Sequence, residues 1–116
     1  MTFLLIIMKK KFRVRSNIEF QKIISKRKFV TDKSFAIYVK PRINEYSRFG
    51  ISIGKKLGNA VARNKVKRQV RMMLHEIGSK DYNYDAIIMI RVKYHEFSYE
   101  DNKKHLEILL NKVKIK

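Results

Sequence analysis

Asp85-Ala86-Ile87-Ile88-Met89-Ile90 is the stretch that most restricts the folds open to this chain. It is a continuous apolar run rather than an alternating one, the pattern of a strand buried on both faces of its sheet. Ahead of it come a strand and then a helix, and the order strand, helix, buried strand predicts parallel pairing across that helix. The chain therefore reads as a layered α+β domain. At 116 residues it is long enough for one such core and not for two.

The flanking patterns supply the other elements. Ser16-Asn17-Ile18-Glu19 has the Ser-x-x-Glu capping-box form, and Ile18, Phe20, Ile23 and Ile24 give apolar positions for a first helix over 17–27. Phe35-Ala36-Ile37-Tyr38-Val39 alternates, and Pro41 ends it. Residues 42–47 are polar and read as a hairpin loop into Phe49-Gly50-Ile51-Ser52-Ile53, which alternates again. The second face of this strand is small (Gly50, Ser52, Gly54), so another backbone or a ligand can come close. A central helix starts at the N-cap Asn59 and stops at Gly78, with Val66, Val70, Met73, Leu74 and Ile77 as its buried stripe. Ser98-x-x-Asp101 caps a last helix that buries Leu106, Leu109, Leu110 and Val113. The order is α-β-β-(β)-α-β-α, the extra short strand falling near 28–31. Residues 1–8 begin with an apolar heptapeptide too short to span a bilayer and are set aside as a non-native or disordered extension. Residues 9–116 form the single domain.

Charge is the strongest pointer to function. The net charge is +18, and residues 1–75 carry 20 Lys and Arg against three acids, Glu19, Asp32 and Glu45. An apolar fraction of 45% rules out reading this charge as disorder. Cations so concentrated repel one another unless a polyanion partners them. Nucleic acid fits better than membrane, because the cationic segments lack the exposed apolar faces of interfacial helices. The chain has no cysteine, hence no disulfide, thiolate metal site or cysteine nucleophile, which suits the cytoplasm.

Seven of those cations lie in the 18 residues Gly54–Arg71, which contain no acid. A solvated helix face normally pairs Glu with Lys one turn apart, and this one does not. At 100° per residue Asn64, Lys67, Arg68, Arg71 and His75 form one stripe beside the apolar one. Lys and Arg there suit phosphates, and Asn64 adds a neutral donor–acceptor pair for a base or sugar edge. Phe20 and Tyr38 stand near basic residues and can act as stacking platforms for unpaired bases. On spacing alone Phe20 serves the core equally well; Tyr38 is better placed, since Phe35, Ile37 and Val39 already account for the core side of its strand. His75 belongs with the basic face, whereas His95 and His105 read as surface residues. No phosphate loop, paired carboxylates or His motif marks a catalytic or metal site.

Lys55-Lys56-Leu57-Gly58-Asn59-Ala60-Val61-x-Arg63-Asn64-Lys65-Val66-Lys67-Arg68-x-x-Arg71 resembles the signature of the bacterial ribonuclease P protein subunit. That family carries an Arg-Asn-Arg core, usually followed by Ile-Lys-Arg and a further Arg one turn on. The resemblance extends to Asn17-x-Glu19-Phe20-Gln21-Lys22-Ile23, Phe35-x-x-Tyr38 and Arg48-x-Gly50-Ile51-Ser52, covering roughly 10–95. It implies an α/β sandwich with a left-handed β-α-β crossover, the ribosomal protein S5 domain 2-like arrangement. It also implies an endoribonuclease whose RNA subunit performs the catalysis with Mg2+, releasing the 5′ leader of precursor tRNA, while the protein firmly binds no cofactor and supplies no catalytic residue. Lys55, Lys56, Asn59, Arg63, Asn64, Lys65, Lys67, Arg68 and Arg71 would contact the RNA subunit. Phe20, Ile24 and Tyr38 would line a cleft for the single-stranded leader. No obligate protein partner and no membrane are implied. Two departures stand out: Lys65 replaces the usual second Arg and loses its planar fork, and Ile24 stands where some relatives have an aromatic. The alternatives are a structural RNA-binding protein of ribosomal type and a helix-turn-helix DNA binder, the latter disfavoured by the strand and glycine loop ahead of the basic helix.

Overall fold

The computed structural model describes residues 17–25, 29–42, 45, 47–78 and 82–113. Helix α1 (Asn17–Ser25) leads into strands β1 (Phe29–Thr31), β2 (Phe35–Pro41) and β3 (Phe49–Ile53). A 3-10 turn (Lys55–Leu57) opens onto α2 (Ala60–Ile77), followed by β4 (Tyr84–Ile90), a second 3-10 turn (Val92–Glu96) and α3 (Tyr99–Lys112). The proposed capping box at Ser16 and the N-terminal extension lie outside the described residues.

The four strands form one mixed sheet in the order β1-β2-β4-β3. β3 and β4 run parallel, Ile51 opposite Ile88, so the pairing expected across α2 is present. β2 and β3 are not a hairpin. β4 lies between them, antiparallel to β2 with Ile37 opposite Ile88. The physical reason is the apolar character of β4 on both faces: every residue from Tyr84 to Ile88 is buried. An edge position would leave such a strand half unpaired and prone to association, whereas the centre satisfies both of its edges.

One face of the sheet carries the main core. Phe35, Ile37, Phe49, Ala86 and Ile88 pack there against Val66, Val70, Met73 and Leu74 of α2 and Leu106, Leu109 and Leu110 of α3. On the other face α1 lays Ile23 on Ile87, both fully buried, with Ile24, Tyr38 and Met89 packed around them. Ile18 does not join this layer and is 68% exposed. At 100° per residue it lies roughly 140° from Ile23, so both cannot face the sheet.

A buried charge cluster locks β4 in place. Asp85 is fully buried. It accepts from the Arg48 backbone N–H at 2.8 Å and from the Arg48 guanidinium at 3.0 and 3.2 Å, with Lys40 Nζ 3.6 Å away. Lys40 of β2 and Arg48, just ahead of β3, thus each send one cation to the carboxylate between them. Nothing in the local pattern of the apolar run signals this role for Asp85.

Candidate nucleic-acid interface

The basic helix is held at both ends by local chemistry. Asn59 Oδ1 accepts from the Ala62 N–H at 2.9 Å, satisfying a free amide of the first turn. Gly78 closes the helix in the left-handed conformation, φ 83°, its N–H donating to the carbonyls of Leu74 and His75. Gly58 sits at φ +130°, and a Cβ there would come within 2.9 Å of Ala62 Cβ, so the turn into α2 requires glycine. No such need holds at Gly54, where a Cβ would meet nothing within 4 Å.

Lys55, Lys56, Asn59, Asn64, Lys65 and Arg68 are exposed, and Arg63, Lys67 and Arg71 are half-buried. Arg71 and His75 are each engaged within the protein. Arg63 Nε is shielded from solvent without a hydrogen-bond partner, so packing fixes the root of its guanidinium. The cations cover a broad arc rather than one narrow stripe. Lys65 and Lys67 point roughly 160° apart around the helix. Lys65 and Arg68 flank a hollow that Gln69, Met72 and Tyr99 complete.

A different surface is built on the α1 side of the sheet. Tyr38 is half-buried beside Ile24, and its ring centroid lies 5.1 Å from that of Phe29, the planes tilted by 31°. Phe29 is 51% exposed. Strand register sets a row across this face: Phe29, Tyr38, Ile87 and Gly50. The floor grades from aromatic through aliphatic to Gly50, which has no side chain and is itself buried. The side chain of Phe20 lies outside the described residues. Phe29 is absent from the sequence-derived set; its signal was an aromatic following Arg27-Lys28 in a short strand of the same sheet. Lys40 and Arg48 are bound to Asp85 and belong to the framework.

The remaining polar groups serve the fold. Ser34 Oγ donates to Asn102 Oδ1 at 2.6 Å and lies 3.2 Å from His105 Nδ1. His95 Nε2 is 2.8 Å from the Leu57 carbonyl and ties the second 3-10 turn to the first. His95 is exposed, as expected, though tied down by this contact, and His105 is half-buried. Burial pushes the Tyr94 hydroxyl up to about 12, and burial together with Glu76, whose Oε1 accepts from the Tyr99 hydroxyl at 2.6 Å, raises that of Tyr99. Among the described residues no group of three His, Asp or Glu side chains could hold a metal ion. Among them, too, no helix is long and apolar enough to cross a membrane.

The ribonuclease P family model matches residues 8–114. The chain belongs to the ribonuclease P protein family. It is 44% identical over 105 residues to the ribonuclease P protein component of Mesoplasma florum, covering 89% of this chain and 96% of that protein. To the component from Mycoplasma mycoides it is 42% identical, over 92% of this chain and all of the other. Among solved structures, the Staphylococcus aureus RNase P protein superposes with a TM-score of 0.80 at 32% identity, over 90% of this chain and 96% of that one. The single-domain α+β architecture is therefore that of ribonuclease P proteins, and tRNA processing is the setting of the family.

Proposed function

We propose that the chain is the protein subunit of ribonuclease P and assists a catalytic RNA subunit in removing the 5′ leader from precursor tRNA in the cytoplasm. The RNA performs the hydrolysis with its own Mg2+. Lys55, Lys56, Asn59, Arg63, Asn64, Lys65, Lys67, Arg68 and Arg71 dock the RNA subunit, and Phe20, Ile24 and Tyr38 hold the single-stranded leader, with Phe29 extending that surface. The observation that carries this reading is that the basic helix and the aromatic face are built by different elements on different sides of one sheet. Two polyanions can then be held at once, and the protein's charge offsets their mutual repulsion. Tighter holding of the substrate should also strengthen the RNA's use of divalent metal.

The test is binding and cleavage of precursors with leaders of graded length, with and without the protein, at low magnesium. Stimulation that grows with leader length until the aromatic face is filled supports the reading. Equal stimulation of leaderless and leader-bearing substrates would sink the leader surface. A structural RNA-binding role unconnected to cleavage would show as RNA affinity without any stimulation.

A further inference from the structure

The hollow beside Lys65 and Arg68 belongs neither to the aromatic face nor to the outward side of α2. It lies where α2 meets the start of α3, with a volume of about 420 Å3, within the range of sites that seat small organic groups. Met72 and Tyr99 give it an apolar lining, and Lys65 and Arg68 stand at the same hollow. A second hollow of about 310 Å3 adjoins it and shares Lys65, Gln69 and Tyr99.

Charge in this groove is one-sided. Neither Lys65 nor Arg68 has an ion-pair partner among the described residues. Glu76, on the same helix, accepts from the Tyr99 hydroxyl and pairs with Lys103 at 3.6 Å, so its charge is already answered. The groove therefore offers an apolar lining with two unanswered cations.

Gln69 adds direction. The Tyr94 hydroxyl donates to Gln69 Oε1 at 2.8 Å, which leaves the Gln69 amide NH2 as the group free to donate. Tyr94 is itself held in place, its carbonyl accepting from Asn102 Nδ2 at 3.0 Å while Asn102 Oδ1 accepts from Ser34. A buried chain of hydrogen bonds thus orients one neutral donor in an otherwise apolar, cationic groove.

An apolar lining, a fixed neutral donor and flanking cations are together the chemistry of one unpaired nucleotide: a base to lie on the lining, an acceptor edge for the donor, a phosphate for the cations. We propose that the groove between α2 and α3 seats a single unpaired nucleotide of the ribonuclease P RNA subunit, with Gln69 meeting the base and Lys65 and Arg68 its phosphate. This rests on the docking role proposed above for α2. It gives Lys65 a definite place: the ammonium stands at the groove, where a point charge suffices for a phosphate.

The experiment has two arms. The full chain, free of RNA, is titrated with millimolar adenosine 5′-monophosphate and, separately, with inorganic phosphate, followed by amide NMR. The nucleotide should shift Gln69, Met72 and Tyr99, and phosphate alone only the neighbourhood of Lys65 and Arg68. In the second arm the reconstituted holoenzyme is probed for base accessibility in the RNA subunit. One unpaired base should be protected by the unaltered protein and exposed by Gln69→Glu, which keeps the shape of the side chain and replaces its donor with a negative charge. RNA affinity should fall about tenfold, as for loss of one stacked base. Lys65→Gln should weaken binding likewise, and Lys65→Arg should restore it. Nucleotide shifts confined to the α1 side of the sheet, or none, overturn the proposal, as does an RNA accessibility pattern unchanged by Gln69→Glu. A Gln69→Glu effect that scales with leader length, or one that alters self-association, also overturns it, by assigning the groove to the substrate or to a second copy. Failure of the docking role itself is read separately, as RNA-subunit binding left unchanged by variants of Asn64 and Lys67.

Discussion

Asp85 shows how much one side chain can fix. A cation from β2 and one from the residue ahead of β3 converge on a carboxylate with no exposure, and the backbone N–H of Arg48 donates to it as well. Removing the charge leaves Lys40 and Arg48 without their anion beside a buried amide. Asp85→Asn should lower stability by about 3 kcal/mol, in the range for breaking a buried ion pair, read as a lower urea midpoint with unchanged slope. Tyr38 makes the opposite kind of case, since it is only half-buried, against Phe29 and in the layer that includes Ile24. Tyr38→Ala should weaken binding of leader-bearing precursor by about 1–3 kcal/mol, the worth of one stacked base, and leave leaderless tRNA unaffected. Filter binding with the two substrates checks it. These two residues also mark what a sequence can and cannot say. Tyr38 could be assigned to the surface because its strand alternates and the core side was already filled. Asp85 carries no such local signal, because the cations that neutralise it lie 37 and 45 positions earlier, at Arg48 and Lys40.

At the scale of elements, what was legible was what is locally determined. The caps at Asn59, Gly78 and Ser98 are set by residues within a few positions, and each forms the bond its residue type favours. Strand order is not local. The loop after Pro41 resembles a hairpin connection, and only the demand of β4 for two neighbours opens β2 and β3 apart. The groove between α2 and α3 was equally hidden, because Tyr99 and Gln69 meet only through the fold. Two predictions belong here. Gly58→Ala must adopt φ +130° and press on Ala62, and should cost about 1–3 kcal/mol for a residue forced into glycine-only backbone space, read by thermal melting. The Tyr94 hydroxyl, which links the second 3-10 turn to Gln69 of α2, ionises in the fold only near pH 12. In the unfolded chain it ionises near pH 10. Between those values the unfolded chain has released a proton that the folded chain still holds, so stability falls as pH rises from 10 towards 12. Below pH 10 this contribution is fully present. Urea midpoints across that window should decline, and less steeply in Tyr94→Phe.

For the whole molecule, the charge of +18 is divided on the proposed reading among surfaces with different partners, and salt can tell them apart. Lys40 and Arg48 are bound to Asp85, whereas Lys55, Lys56, Lys65 and Arg68 are exposed along α2 and the turn before it. Each phosphate met by such a cation releases condensed counterions, and the affinity then falls by about 0.7–0.9 log units per log unit of salt for each contact. On the proposed reading the aromatic face works by stacking and should contribute little to that slope. Salt titration of RNA-subunit binding should therefore lose about one such unit of slope for each of Lys56→Gln, Lys65→Gln and Arg68→Gln. Tyr38→Ala should leave that slope unchanged while lowering affinity for leader-bearing precursor at every salt concentration. A Tyr38→Ala variant that flattened the RNA-subunit slope would mean that the two surfaces act as one. Substitutions on α2 that left the slope unaltered would remove the basic helix from the interface.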